Sequence, residues 1–290
     1  MSPARRIGLM SRQRFAALLL TIMTPTLAAA QAGREVTVPM LDVGGRPVVE
    51  LSINGSGPYR FILDTGANRT VVADDLIAEL KLPAINGQAD SGPVRIDTLG
   101  LDTLMMTDVT AGRGGAMLAG LGGQVRGVLS AQAFPGSLLT LDFISRRVSV
   151  RRGELPPSDG RRIFAYDADD PLPRVPVRID GTEYRLHFDT GAPAGMSLPL
   201  ARAKTLGLEG QLVERGRARV VTGVYPVYEA PFTGRIELGD FVLPITAISF
   251  SDLRPGPAPP PGLIGMKLLQ DFIITLDTRN RRVRFAKPSA

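Results

Sequence analysis

Phe61-Ile62-Leu63-Asp64-Thr65-Gly66-Ala67 returns later in the chain as Leu186-His187-Phe188-Asp189-Thr190-Gly191-Ala192. Each copy is a short run suited to a buried strand, and it ends on a carboxylate, a hydroxyl, a glycine and a small residue. A single Asp-Thr-Gly is a weak signal. Asp-Thr without the glycine also occurs at Asp97, Asp102 and Asp277, and one copy reads as a strand running into a turn. Two copies in the same local context make the rest of the chain legible as two scaffolds that hold the aspartates face to face.

Working outward, both copies sit in the same frame. Val48–Ile53 alternates as a strand does, Asn54-Gly55-Ser56-Gly57-Pro58 reads as a hairpin turn, and Tyr59–Leu63 as the return strand. Later, Val175–Ile179, Asp180-Gly181 and Tyr184–Phe188 repeat the order. Val36–Val38 reads as an earlier strand. Helices are expected over about Asp74–Leu80 and from Pro199 to about Leu206. A second block repeats without a gap: Gly127-Val128-Leu129-Ser130 through Leu138–Phe143 to Arg146-Arg147-Val148, against Gly262-Leu263-Ile264-Gly265 through Ile273–Thr278 to Arg281-Arg282-Val283. A repeat of this length means two homologous lobes rather than a solenoid. The expected division is a signal segment at 1–30, an N-terminal lobe at 31–150, a linker at 151–162 and a C-terminal lobe at 163–290. The linker centres on Pro156-Pro157-Ser158-Asp159-Gly160, an exposed connection by composition.

The 290 residues include 32 Gly and 24 Pro, few aromatics and no Trp, which favours short strands and turns over helix bundles. The fold expected is all-β: two closed, barrel-like lobes with short helices. Arg5, Arg6, Arg12 and Arg14 precede the apolar run Phe15–Leu20, and Ala28-Ala29-Ala30 offers a cleavage site between Ala30 and Ala32. This reads as a bacterial secretory signal, with an uncleaved anchor as the alternative and the Arg5-Arg6 pair leaving twin-arginine export open. The expectation is a periplasmic or secreted protein with no stable membrane insertion. A lipid-anchored form is excluded because there is no cysteine to carry the lipid. Four of the six net positive charges lie in residues 1–30, leaving about +2, so composition gives no basis for a nucleic-acid partner. Zero Cys and one His argue against disulfides, a zinc or iron site, and cysteine–histidine catalysis. No metal and no cofactor is expected.

The chemistry of the paired carboxylates follows from their type. Two carboxyl groups at hydrogen-bond distance in a poorly hydrated site cannot both ionise, so they share a proton and titrate together. One can then take a proton from a water while the other donates to the carbonyl under attack. Gly66 and Gly191 allow close approach of backbone N–H groups, Thr65 and Thr190 can bond across the junction, and Ala67 and Ala192 leave room for a substrate backbone.

On these residues, with Leu263-Ile264-Gly265, the chain resembles aspartic peptidases of the pepsin and retropepsin type, over nearly the whole length after the signal. Alanine after Asp-Thr-Gly is closer to the retropepsins. The resemblance implies two β lobes with a cleft between them, peptide-bond hydrolysis without metal or covalent intermediate, and a catalytic pair at Asp64 and Asp189. One chain carries both, so a monomer suffices, and the partner expected is an extended polypeptide substrate. The sequence departs from the pattern at Ser130, where a glycine is usual. It departs again at Asn68 and Pro193, where retropepsins tend to carry an acid, so substrate contacts at Asn68 are expected to differ. The rival reading is a non-catalytic peptide- or ligand-binding protein that keeps the lobes.

The lobes are unequal. Glu209 to about Thr233 is roughly twice as long as the lobe 1 segment Pro83 to about Pro93. An added hairpin there, carrying Gly223 and Tyr225, could close over the cleft as a flap; Tyr225 as core packing is the alternative. His187, two residues before Asp189, shares its side of the strand and reads as lobe filler or as a group tuning the pair. The Asn68-Arg69-Thr70 acceptor pattern carries no weight beside a bacterial signal.

Overall fold

The computed structural model describes residues 35–85, 92–115, 118, 121, 123–167, 172–220, 223–252 and 261–288. The expected signal segment, the tip of the lobe 2 hairpin at 221–222 and most of the proline-rich stretch Pro255–Pro261 lie outside the described residues.

Lobe 1 contains β1 (Val36–Pro39), β2 (Leu41–Asp42), β3 (Pro47–Ile53), β4 (Ser56–Asp64), β5 (Val71–Val72), β6 (Val94–Leu101), β7 (Leu104–Arg113), β8 (Gly127–Ser130), β9 (Ser137–Asp142) and β10 (Arg147–Arg152). Lobe 2 follows with β11 (Ile163–Ala165), β12 (Arg174–Ile179), β13 (Thr182–Phe188), β14 (Met196–Leu198), β15 (Val213–Val220), β16 (Gly223–Pro231), β17 (Ile236–Leu238), β18 (Phe241–Val242), β19 (Ala247–Phe250), β20 (Leu263–Ile264), β21 (Ile273–Asp277) and β22 (Arg282–Ala286). Among the described residues, the helical elements with defined bounds are single turns and one six-residue segment, Asp74–Glu79. The fold is all-β and two-lobed.

The hairpins that lead to the aspartates turn where Asn-Gly and Asp-Gly allow it. Asn54 and Gly55 have φ of 49° and 80°, and Asp180 and Gly181 have 47° and 82°. Two consecutive positive φ values make the turn whose twist matches the flanking strands. The first turn is tighter than its sequence suggests: Ser56 already pairs with Ile53, so Gly57 and Pro58 belong to β4. The segment after Pro199 is a 3₁₀ turn at Leu200–Lys204 rather than a helix to Leu206, and it buries no residue fully. Gly112 lies within β7, and its N–H donates to the Thr70 carbonyl.

In lobe 1, β3-β4-β8-β5-β7-β6 are linked in order and β6 returns to pair with β3, so the six strands close into a barrel. Lobe 2 runs the corresponding path through nine strands, from β15 at one edge to β18 at the other. In both, a short strand from the second repeated block lies between the aspartate strand and the next one. β8 is parallel to β4, with Ser130 opposite Asp64, and antiparallel to β5. β20 is parallel to β13 and antiparallel to β14. Flanked on both sides, β4 and β13 bury their last three residues before each aspartate without alternation, as interior parallel strands do. Gly127 and Gly262 are small for the same reason: a methyl there would overlap Phe61 in lobe 1 and Leu198 in lobe 2.

A third, six-stranded sheet joins the halves in the order β1-β10-β9-β21-β22-β11. Its central pair, β9 and β21, comes from the matched parts of the repeat and runs antiparallel, with Thr140 opposite Thr275 and their hydroxyls 3.1 Å apart. Leu138 faces Asp277 just as Asp142 faces Ile273, so the register is symmetric about the threonine pair. Strand β10 enters the expected linker as far as Arg152, and that segment is anchored beyond it. Leu155 is buried, and its N–H donates to the buried Asp277 carboxylate at 2.9 Å. Phe188, the residue before Asp189, packs edge-on against Phe285 of the shared sheet at 5.5 Å. The core therefore runs unbroken from the joining sheet to the aspartate strand.

Candidate active site

Each aspartate stands where its strand leaves the sheet, and the two loops meet through their threonines. Thr65 N–H donates to Thr190 Oγ1 and Thr190 N–H to Thr65 Oγ1, both at 3.1 Å. The hydroxyls then donate onward across the junction, Thr65 Oγ1 to the Phe188 carbonyl at 2.8 Å and Thr190 Oγ1 to the Leu63 carbonyl at 2.6 Å. Both threonines are buried. Four reciprocal bonds thus fasten the residues on either side of each aspartate to the opposite lobe, and buried networks that are fully satisfied in this way are rigid.

This lock brings the carboxyl groups of Asp64 and Asp189 into hydrogen-bond contact. Gly66 N–H donates to Asp64 Oδ1 at 2.7 Å and Gly191 N–H to Asp189 Oδ1 at 2.8 Å, with Ala192 N–H adding a bond to Asp189 at 3.1 Å. Each glycine lies against the carboxylate of the other lobe. A methyl at Gly66 would fall 2.5 Å from Asp189 Cγ, and one at Gly191 would overlap the Asp64 carboxylate. Glycine is required here for approach, not for an unusual φ.

Burial pushes both carboxyls above the usual carboxylate range. At Asp64 the neighbouring Asp189 charge pushes further the same way. At Asp189 the hydrogen bond from Asp64, the Gly191 and Ala192 N–H groups and the Arg46 guanidinium oppose the rise. Two carboxyls that repel and share a hydrogen bond hold one proton between them over a pH window. Both aspartates are only half-buried, so the pair is accessible from one side.

The sequence matches the aspartyl protease family model over residues 49–132 and again over 175–268, once in each lobe. The chain belongs to the aspartyl protease family. Comparison with curated proteins gives no match. Membership supports a protease-type, hydrolytic function, and each matched stretch contains one Asp-Thr-Gly. Among the described residues, no helix is long and apolar enough to cross a membrane.

The remaining residues singled out from sequence divide in two. Ala67 and Ala192 flank the pair, half-buried. The Ala67 carbonyl accepts from Ser130 Oγ at 2.6 Å, and the Ala192 carbonyl from Met266 N–H at 2.8 Å. Asn68 is exposed at the rim. Gly223 and Tyr225 belong instead to the β15–β16 hairpin, where Tyr225 is half-buried and opposite Ala218. Sequence reading missed Arg46. It precedes the first repeated strand, and its Nε donates to the Gly191 carbonyl of the other lobe at 2.8 Å. Extending the repeat two residues upstream of Val48 would have exposed it, because Arg46-Pro47 there faces Leu172-Pro173 in the second copy.

Proposed function

We propose that the protein is an aspartic endopeptidase that hydrolyses peptide bonds through water activated by Asp64 and Asp189. The observation that carries this reading is the reciprocal Thr65–Thr190 bonding, which holds two carboxyls in contact at the accessible junction of two lobes. A water bridging the pair loses a proton to the ionised carboxylate as its oxygen bonds to the peptide carbon. The protonated carboxyl gives its proton to the carbonyl oxygen, leaving a tetrahedral diol. Transfer of the pair's proton to the nitrogen, while a diol hydroxyl gives its proton to the other carboxylate, breaks the C–N bond, releases amine and acid, and restores a pair with a single proton. Thr65, Thr190, Gly66 and Gly191 hold the geometry, and Ala67 and Ala192 leave space for an extended substrate bound by backbone hydrogen bonds. The β15–β16 hairpin acts as the flap, with Gly223 allowing its bend at φ 147° and Tyr225 close to its tip. The active unit is a monomer, and the N-terminal segment directs export.

The test is cleavage of a mixed peptide library. Pepstatin-sensitive turnover that is lost in Asp64→Asn and in Asp189→Asn supports the enzyme. Tight peptide binding without turnover by the wild type assigns the lobes to a binding module instead.

A further inference from the structure

The duplication places an arginine before the first lobe's hairpin and a leucine at the matched position of the second, Arg46 against Leu172. The turn that carries Arg46 is pre-shaped. Gly44 and Gly45 take φ of 61° and 75°, Gly45 N–H donates to Asp42 Oδ1 at 3.0 Å, and Val43 N–H donates to the Arg46 carbonyl at 3.1 Å. It lies against the second aspartate loop, where a methyl on Gly45 would stand 3.6 Å from Pro193 Cβ. From it Arg46 extends across the junction. Nε bonds the Gly191 carbonyl at 2.8 Å, and Nη1 turns back to the Gly44 carbonyl at 3.3 Å. Gly191 is the residue whose N–H holds Asp189. One lobe therefore places a permanent cation beside the other lobe's aspartate, and the chain supplies an apolar side chain at the matched position for Asp64.

We propose that Arg46 is a positioning residue that breaks the symmetry of the pair: it holds the ionised state on Asp189, making it the base toward water, and leaves the shared proton on Asp64. This rests on reading the two aspartates as a hydrolytic pair. Backbone donors serve both carboxyls, the Gly66 and Gly191 N–H groups at Asp64 and the Gly191 and Ala192 N–H groups at Asp189, so the asymmetry is carried by the cation, which lies on the Asp189 side and opposes the rise there. Charged and titratable side chains on the elements packed around the loops include Asp42 and Arg46 on the β2–β3 turn, Arg69 beyond the first loop, Arg174 on β12 opposite His187 on β13, and Lys267 behind the second loop. Of these, Arg46 is bonded to the glycine that holds Asp189.

The experiment is carboxyl-carbon NMR on the full chain labelled at aspartate, titrated with pH. The two signals are assigned through Asp64→Asn and Asp189→Asn. In the wild type the first ionisation of the pair should be read at Asp189. Arg46→Gln keeps a donor for the Gly191 carbonyl but removes the charge; it should move that ionisation up by about half to one pH unit and spread it onto Asp64. Arg46→Lys keeps the charge and should titrate close to wild type. A purely structural Arg46 would leave the titration of Arg46→Gln unchanged, and that result, or a first ionisation at Asp64 in the wild type, overturns the proposal. Peptide cleavage measured on the same samples separates the two readings: a wild type that cleaves nothing removes the peptidase assignment and leaves the titration to decide the role of Arg46.

Discussion

Lobe 1 and lobe 2 were built from one plan, and they differ where the plan leaves freedom. The hairpin, the aspartate at its strand end, the strand inserted beside it and the threonine lock are the same in both. Behind the aspartate loops they part. In lobe 2 a methyl on Gly265 would lie 2.5 Å from the Ala194 carbonyl and 2.7 Å from that of Ala192, so the chain passes too close for any side chain. In lobe 1 the matched residue is Ser130, buried, and its hydroxyl bonds the Ala67 carbonyl. That carbonyl corresponds to Ala192's, which Met266 N–H satisfies in lobe 2. The same acceptor is thus served by a side chain in one lobe and by backbone in the other. What is kept is the satisfied loop, not the residue that satisfies it.

Exchanging those two residues sharpens the comparison most strongly. Gly265→Ser should cost more than about 3 kcal/mol, because its Cβ meets two backbone carbonyls that cannot yield, and chemical denaturation will read it. Thr190→Val comes next. It leaves the Leu63 carbonyl and Thr65 N–H unpaired in a buried junction, an expected loss of about 2–4 kcal/mol, and Thr65→Val should behave alike. Combined, the two should cost less than the sum of the singles, since they remove one network. Ser130→Ala should lose only about 1–2 kcal/mol, from the Ala67 bond and the cap to Gln132 N–H. If Ser130→Ala proves costlier than Gly265→Ser, the account of the two loops is wrong.

The carboxyl pair gives a pH-dependent test. Its folded-state pKa values are raised, so folding is favoured by its protonation, fully below the unfolded carboxylate range and progressively less as pH rises through the raised values. Asp64→Asn removes this burden. The variant should be more stable than wild type at pH 7, and the advantage should vanish below about pH 3.8. A constant difference across that range would contradict the shared proton. The smallest structural effect concerns the lobe 2 hairpin. Tyr225→Ala should raise KM several-fold with little change in folding stability, and unchanged kcat and KM would remove the flap.

Much of this is legible in the sequence because the signals are local. Asn54-Gly55 and Asp180-Gly181 fix turn geometry by themselves, and Phe61-Ile62-Leu63 before Asp64, matched by Leu186-His187-Phe188 before Asp189, announces interior strands. The joining sheet was not legible in the same way. Leu138–Phe143 and Ile273–Thr278 stand out as a duplicated block, yet nothing local says that one copy pairs with the other. Their partnership at Thr140 and Thr275 is set by the packing of whole lobes. Arg46 is legible only as a departure from the repeat, Arg46-Pro47 against Leu172-Pro173, and its partner, a backbone carbonyl 145 positions away, leaves no mark of residue type. The turn after Pro199 is shorter than expected: Leu200, Ala203 and Leu206 pack against the core but none is fully buried, a shallow contact that gives little to hold a longer helix.

The central claim is that two half-sites from one polypeptide act as a single catalytic group. The most direct measurement is kcat on one peptide substrate for Asp64→Asn, Asp189→Asn and the double variant. The account predicts that each single change lowers kcat by at least about a thousandfold and that the double variant is no slower than the worse single. A single variant that keeps near-wild-type turnover, or two losses that multiply in the double, would contradict it.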